Sequence, residues 1–231
     1  LEGPLKKNRS NFLFSIRKSY LDFLFTAIDL PIRPNFTDMQ YKITHRLSDK
    51  TTLTVLGLGA IDVFSFAATK KETIENAYFR RSLPYINQWN YTVGLALKHL
   101  INKGFINYTL SRNMFENRLD RFEDARDNQE SYRNLKLRSQ EMENKFRMDV
   151  NQFVNGWKFS YGVMAQYVKY NTDLFNKISS PYINENNIPV PEVNIQFKSA
   201  IEFFKVGAFG QISKNLFENR VLVSMGLRTD G

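Results

Sequence analysis

Apolar and polar residues alternate with a period of two along most of the chain, the pattern of β-strands with one apolar and one polar face. Met39, Tyr41, Ile43, His45 and Leu47 alternate with Asp38, Gln40, Lys42, Thr44 and Arg46 without exception. Trp89, Tyr91, Val93, Leu95, Leu97 and His99 alternate with Asn90, Thr92, Gly94, Ala96 and Lys98, and Phe159, Tyr161, Val163, Ala165 and Tyr167 with Lys158, Ser160, Gly162, Met164 and Gln166. Phe146, Met148 and Val150 oppose Lys145, Arg147 and Asp149, and Val221, Val223, Met225 and Leu227 lie among Arg220, Leu222, Ser224, Gly226 and Arg228. The pattern predicts strands over residues 11–25, 38–47, 51–64, 89–100, 105–115, 140–154, 157–171, 194–212 and 219–229, and an all-β chain.

The connections predicted between these strands come in two alternating lengths. Short ones fall at 48–50, 102–104, 155–156 and 214–219, with Asn155-Gly156 the strongest hairpin signal. Long ones, polar or proline-bearing, fall at 26–37, 65–88, 117–131 and 172–193. Every tight turn therefore lies on one edge of an antiparallel up-and-down meander and every long loop on the other. Soluble sandwiches mix loop lengths through Greek-key crossings, whereas membrane barrels have short periplasmic turns, long outer loops and strands of about ten alternating residues. The expected fold is a partial transmembrane β-barrel of about 9–10 strands. Its apolar face would meet lipid, and Ser15, Arg17, Ser19, Lys42, Arg46, Asn107, Thr109, Ser111, Arg147, Arg220 and Arg228 would line the lumen. Trp89 and Tyr91 follow a long connection while Trp157, Phe159 and Tyr161 follow a short one, which would place membrane-girdle aromatics at both interfaces. The other reading of these five is an ordinary aromatic core.

Composition sharpens this picture. Phe, Tyr and Trp make up 14% of the chain, more than a soluble core of this size uses, and suit a lipid-facing wall. The absence of Cys excludes a disulfide framework, a thiolate metal site and a cysteine nucleophile. The net charge of +9 taken alone is compatible with nucleic acid or an anionic surface; on a barrel wall it reads as unbalanced lumen and loop charge, not as a nucleic-acid footprint. The chain opens on Leu1 without a signal peptide and contains no apolar run long enough for a spanning helix. Nine strands is an odd number where bacterial barrels close with an even one, and Arg228-Thr229-Asp230-Gly231 is where a loop would begin. A segment of a larger barrel is expected.

Particular stretches carry a family resemblance. Glu2-Gly3-Pro4-Leu5-Lys6-Lys7, followed by Phe12-Leu13-Phe14-Ser15-Ile16-Arg17-Lys18-Ser19-Tyr20-Leu21-Asp22, resembles the early barrel of TonB-dependent outer-membrane receptors, especially those of Bacteroidetes. Residues 53–62 with Gly57, Gly59 and Asp62, then Gly207-Ala208-Phe209-Gly210-Gln211, then Gly226-Leu227-Arg228-Thr229-Asp230, are similar to the same family in the same order. The resemblance implies a plugged barrel of roughly 22 strands in the outer membrane of a Gram-negative cell, of whose barrel domain residues 1–231 are one part. It implies import of a scarce nutrient such as a ferric siderophore, cobalamin, a glycan or a peptide. The implied partners are outer-membrane lipid, the receptor's own plug domain, the TonB complex acting on the full-length protein and, in some receptors, a surface lipoprotein. No cofactor, enzymatic activity or nucleic-acid partner is implied.

The candidate chemistry is sparse. His45 and His99 lie singly on apolar faces near short turns, where a structural role fits better than metal ligation. Asp120, Asp124 and Asp127 fall in a loop with Arg118, Arg121 and Arg126, so a divalent-ion site competes with ordinary solvated charge. Arg80, Arg81 and Tyr85 form a basic and aromatic group that fits an anionic or ring-bearing ligand at the outer mouth, or a solvated loop, or anionic lipid headgroups. Arg17, Arg147 and Arg228 alternate inward and are expected to pair with a plug domain. A complete small barrel of 8 or 10 strands, structural or hydrolytic, and a soluble polysaccharide-binding β protein are the rival classes.

Overall fold

The computed structural model describes residues 1–71, 73–123, 129–217 and 220–231. Ten strands form one antiparallel sheet, each paired with its neighbour in sequence. They are β1 (Glu2–Lys6), β2 (Ser10–Lys18), β3 (Ile32–Arg46), β4 (Thr51–Phe66), β5 (Tyr85–Ile101), β6 (Gly104–Phe122), β7 (Arg133–Val154), β8 (Trp157–Ser179), β11 (Val193–Leu216) and β12 (Val221–Asp230). A small hairpin of β9 (Tyr182–Ile183) and β10 (Pro189–Val190) sits in the connection between β8 and β11. Two helices, α1 (Leu21–Ala27) and α2 (Ile74–Ser82), occupy the connections that follow β2 and β4. The sheet is open, with β1 and β12 at its edges.

Tight turns and long connections alternate as the sequence predicts. At the β7–β8 turn both Asn155 (φ 51°) and Gly156 (φ 79°) take the left-handed conformation that matches the twist of a two-residue hairpin. Lys103 takes the same conformation (φ 61°) in the β5–β6 turn.

Three expectations are corrected. First, the strand predicted over 11–25 stops at Lys18 and α1 follows. Alternation fails at Phe23-Leu24-Phe25, and the Ser19 hydroxyl accepts a hydrogen bond from the Leu21 amide, giving this backbone a local alternative to the ladder. Second, β1 is an additional strand, pairing Glu2 with Leu13 and Gly3 with Phe12. Pro4 concealed it, because proline is tolerated only at an edge such as this one. Third, strand reaches into the connections predicted over 117–131 and 172–193, over 117–122 in the first and over 172–179 in the second, since β6, β7, β8 and β11 reach 19, 22, 23 and 24 residues. Their outer ends are rich in Arg, Lys, Asp and Asn and read as loop by composition.

Register defines two faces, because cross-strand partners project to the same side of a sheet. One row runs Ile43–Val55–Leu95–Leu110–Phe146–Ala165–Val206 and is apolar across seven strands. The neighbouring row on the opposite side runs Lys42–Leu56–Gly94–Ser111–Lys145–Gln166–Lys205. These are termed the Tyr91 face and the Arg147 face. A single sheet layer has almost no interior. Among the described hydrophobic residues, Phe122, Val150 and Val168 are buried side chains, while Leu95, Leu110, Phe146 and Val206 remain 42–59% exposed.

Candidate functional site at the long-loop end of the sheet

Toward the long connections the two faces exchange character without any break in the strands. On β7 the Arg147 face changes from Glu141, Glu143, Lys145, Arg147 and Asp149 to Leu135 and Leu137, while the Tyr91 face changes from Phe146, Met148 and Val150 to Lys136, Arg138 and Gln140. β11 does the same: Ile195, Phe197, Ile201 and Phe203 share the Arg147 face, and the Tyr91 face changes from Val206 and Ala208 to Glu202, Lys198 and Gln196. Register extends this apolar patch through Leu174 and Tyr170 of β8 and Leu119 of β6. Phe197 and Ile201 are each 52% exposed, so the patch is accessible. The sequence reading missed it, although the adjacent Phe203-Phe204 pair marks the position where the phase inverts.

The Tyr91 face at the same height is a lattice of ion pairs. The Asp120 carboxylate accepts two bonds from Arg138 (2.7 and 2.8 Å) and pairs also with Arg133. Asp173 lies 3.4 Å from both Lys136 and Lys198. Burial works against its charge, but the two ammonium groups outweigh it and hold the carboxyl below the usual range. Lys177, its side chain 10% exposed, joins Glu123 at the end of β6 (3.4 Å) to Glu192 just before β11 (3.2 Å). Burial disfavours the ammonium, yet the two carboxylates overcome this and raise its pKa. Glu192 is held low by the Asn194 amide first and by Lys177 second. Lys177 thus clasps two of the long connections together.

This geometry bears on each residue singled out from sequence. Asp120 is satisfied by arginine, Asp124 and Asp127 lie outside the described residues, and no group of three metal-binding side chains occurs among the described ones. Arg80 and Arg81 occupy the last turn of α2, where cations suit a helix C-terminus. Tyr85 opens β5 with its ring packed edge-on against Phe66 (4.9 Å) and Phe122 (6.5 Å) in an aromatic cluster that the Arg133 guanidinium covers. Arg17, Arg147 and Arg228 share one face by register, and each already holds a carboxylate of the same sheet: Asp38 at 2.9 Å, Asp149 at 2.8 Å and Asp230 at 2.7 Å.

Trp89, Tyr91, Trp157, Phe159 and Tyr161 all lie on the Tyr91 face. Trp89 and Tyr91 stack at 6.1 Å, and Arg112 donates to the Tyr91 hydroxyl (3.1 Å). Trp157, 38% exposed, carries the Lys214 ammonium over its ring at 4.6 Å. Along β5, Trp89 and His99 are ten residues apart, about 33 Å of strand, which at a barrel tilt of about 40° projects to about 25 Å, the height of a barrel's apolar band. His45 and His99 each hydrogen-bond a hydroxyl on a neighbouring strand, Ser10 at 2.6 Å and Thr51 at 2.9 Å, as a structural role predicts.

No family model and no curated protein sequence matches the chain. Solved structures do. The sheet is similar to the copper transporter OprC (TM-score 0.64, 13% identity, 97% of this chain and 32% of that one). It is also similar to the ferripyoverdine receptor of the outer membrane of Pseudomonas aeruginosa (TM-score 0.64, 12% identity, 99% and 34%) and to the outer-membrane transporter YddB from Escherichia coli (TM-score 0.59, 9% identity, 100% and 32%). The chain spans about a third of the length of these structures. At such identities the likeness is one of fold: the sheet has the architecture of part of an outer-membrane transporter barrel.

Proposed function

We propose that residues 1–231 form part of the wall of an outer-membrane TonB-dependent receptor that imports a scarce nutrient, and that the chain has no enzymatic role. The observation that carries this reading is the apolar row from Ile43 to Val206, seven strands wide and open on its outer side, lying between Trp89 and His99, about 25 Å apart in projected height, with Tyr161 on the His99 register row. A soluble sheet would cover such a row with a second layer; a bilayer covers it instead. The tight turns then lie in the periplasm and the long connections outside the cell. The early-barrel motifs support a receptor of the Bacteroidetes type, energised by TonB through a plug domain, with or without a surface lipoprotein.

Orientation assigns roles. The Tyr91 face meets lipid between the two aromatic rims, and the Arg147 face lines the lumen. Above the membrane the outside wall enters water, which explains its ion-pair lattice, and the inner wall becomes the apolar patch around Phe197, Ile201 and Leu137. That patch is the surface in this chain best suited to contact a ligand with apolar or aromatic groups, with Arg80 and Arg81 as contacts at the mouth.

The test is sidedness in the full-length protein. A peptide tag inserted at Asn187, in the β9–β10 hairpin, is expected to be labelled on intact cells, and a tag at Gly156 only after the outer membrane is breached. Equal labelling of both, or recovery of the protein in the soluble fraction, would reject the membrane wall.

A further inference from the structure

The net charge of +9 is concentrated at one end of the sheet. Within four residues of the five tight turns lie Lys6, Lys7, Arg9, Arg46, Lys50, Lys98, Lys103, Lys158, Lys214 and Arg220, against two acidic residues of the sequence, Asp49 and Glu218. That end carries +8. The remaining 22 basic and 21 acidic residues of the chain come to +1. The surplus therefore gathers at the tight-turn edge and not at the long loops; by register Arg46, Lys98 and Lys158 stand on the Arg147 face, and the other seven lie in the turns or on the Tyr91 face.

The two ends also differ in how the charges are used. Among the described residues none of these ten cations forms an ion pair, whereas eleven cations elsewhere do: Arg17, Arg228 and nine on β6, β7, β8 and β11. Seven of the ten, at four of the five tight turns, lie in the turns or on the Tyr91 face, so the cations form a collar and not a single patch. Apolar residues stand beside them, with Leu47 53%, Leu100 43% and Phe217 73% exposed. On the Tyr91 face Lys214 lies over Trp157, the arrangement of a long side chain with an apolar stem and a wet head.

We infer that this collar binds the anionic phospholipid headgroups of the leaflet at the tight-turn rim. The inference rests on the membrane-wall reading above. An unpaired cation ring continuous with a lipid-facing aromatic rim is complementary to a negatively charged headgroup layer, and it would anchor the wall at a fixed depth. Lysines at four separate turns, from the β1–β2 turn to the β11–β12 turn, match a continuous surface better than one bound protein.

The experiment uses the full-length receptor in phosphatidylcholine vesicles containing spin-labelled phosphatidylglycerol or spin-labelled phosphatidylcholine. The anionic lipid is expected to associate on the order of fivefold more strongly and to lose that preference at high salt. In the variant K7Q/K50Q/K103Q/K158Q/R220Q the preference is expected to fall to near unity, while K18Q/K70Q/K71Q, at the long-loop end, keeps it. Equal association of the two lipids with the wild type, or a preference that survives in the five-turn variant, overturns the collar while leaving the membrane wall standing. Failure to insert into either vesicle overturns both. Loss of lipid preference combined with turn-dependent cross-links to an acidic periplasmic protein would assign the collar to that protein instead.

Discussion

Single residues on this sheet are governed by which side they face and at what height. Leu95 stands in the middle of the apolar Tyr91-face row, which the membrane-wall reading turns toward lipid, and is 45% exposed. Leu95→Arg is expected to destabilise the folded full-length barrel by about 2–4 kcal/mol, measured by urea titration in vesicles, while Ala96→Arg, one residue away and lumen-facing, is expected to cost far less. The Lys177 clasp makes a pH prediction. Glu192 and Asp173 have lowered pKa values, so their contribution is complete above the ordinary carboxylate range near 4 and is lost as pH falls through the lowered native values. Lys177 has a raised pKa, so its contribution persists below about 10.4 and is lost only as pH rises through the raised native value. Hydrogen exchange of residues 180–195, corrected for its intrinsic pH dependence, is expected to change little between pH 5 and 9 and to accelerate sharply on acidification below 4. Lys177→Met is expected to reproduce the acid behaviour at neutral pH, since it removes both bridges at once.

At the scale of elements, strands are placed by alternation and spaced by small residues. A side chain at Gly162 would drive into the Met148 carbonyl oxygen and sit 2.7 Å from the Phe209 ring, so the β7–β8–β11 approach depends on its absence. Gly162→Val is expected to cost about 1–3 kcal/mol and to weaken exchange protection in β7 and β8 before β3 and β4. Much of this was legible beforehand: the turns at Asn155-Gly156 and Asn102-Lys103, the central stretches of eight strands, and the alternation of short and long connections all follow from local chemistry. What was misread has a common cause. Composition identifies a strand only while one of its faces is apolar in the expected phase. At the outer ends of β6, β7, β8 and β11 the phase inverts and charges dominate, so these stretches of strand read as loop by composition. Residues 19–25 erred the other way, because apolar content persisted after alternation had stopped.

For the whole molecule, the consequential arrangement is polarity in two directions, across the sheet and along it. Along it, the tight-turn end is cationic and unpaired, the middle is apolar outside, and the far end is ion-paired outside and apolar inside. If the inner patch at the far end contacts the imported ligand, Ile201→Glu and Phe197→Asp in the intact receptor are expected to reduce uptake at least tenfold, the cost of leaving a charge against an apolar ligand surface, with insertion unchanged. Unaltered uptake with both variants correctly inserted would remove the patch from the transport path. The sequence by itself determined the meander, the two edges of unequal turn length and the apolar side of most strands, because period-two alternation and turn residues are local properties of the chain. Its turns already place part of the surplus, Arg46, Lys50, Lys98, Lys103, Lys158, Lys214 and Arg220 against Asp49 and Glu218; only strand pairing adds the β1–β2 turn with Lys6, Lys7 and Arg9, and shows that Arg17, Arg147 and Arg228 hold Asp38, Asp149 and Asp230. The sequence could not join Leu137, Leu174 and Phe197 into one surface, since residues so distant in the chain become neighbours only through cross-strand register.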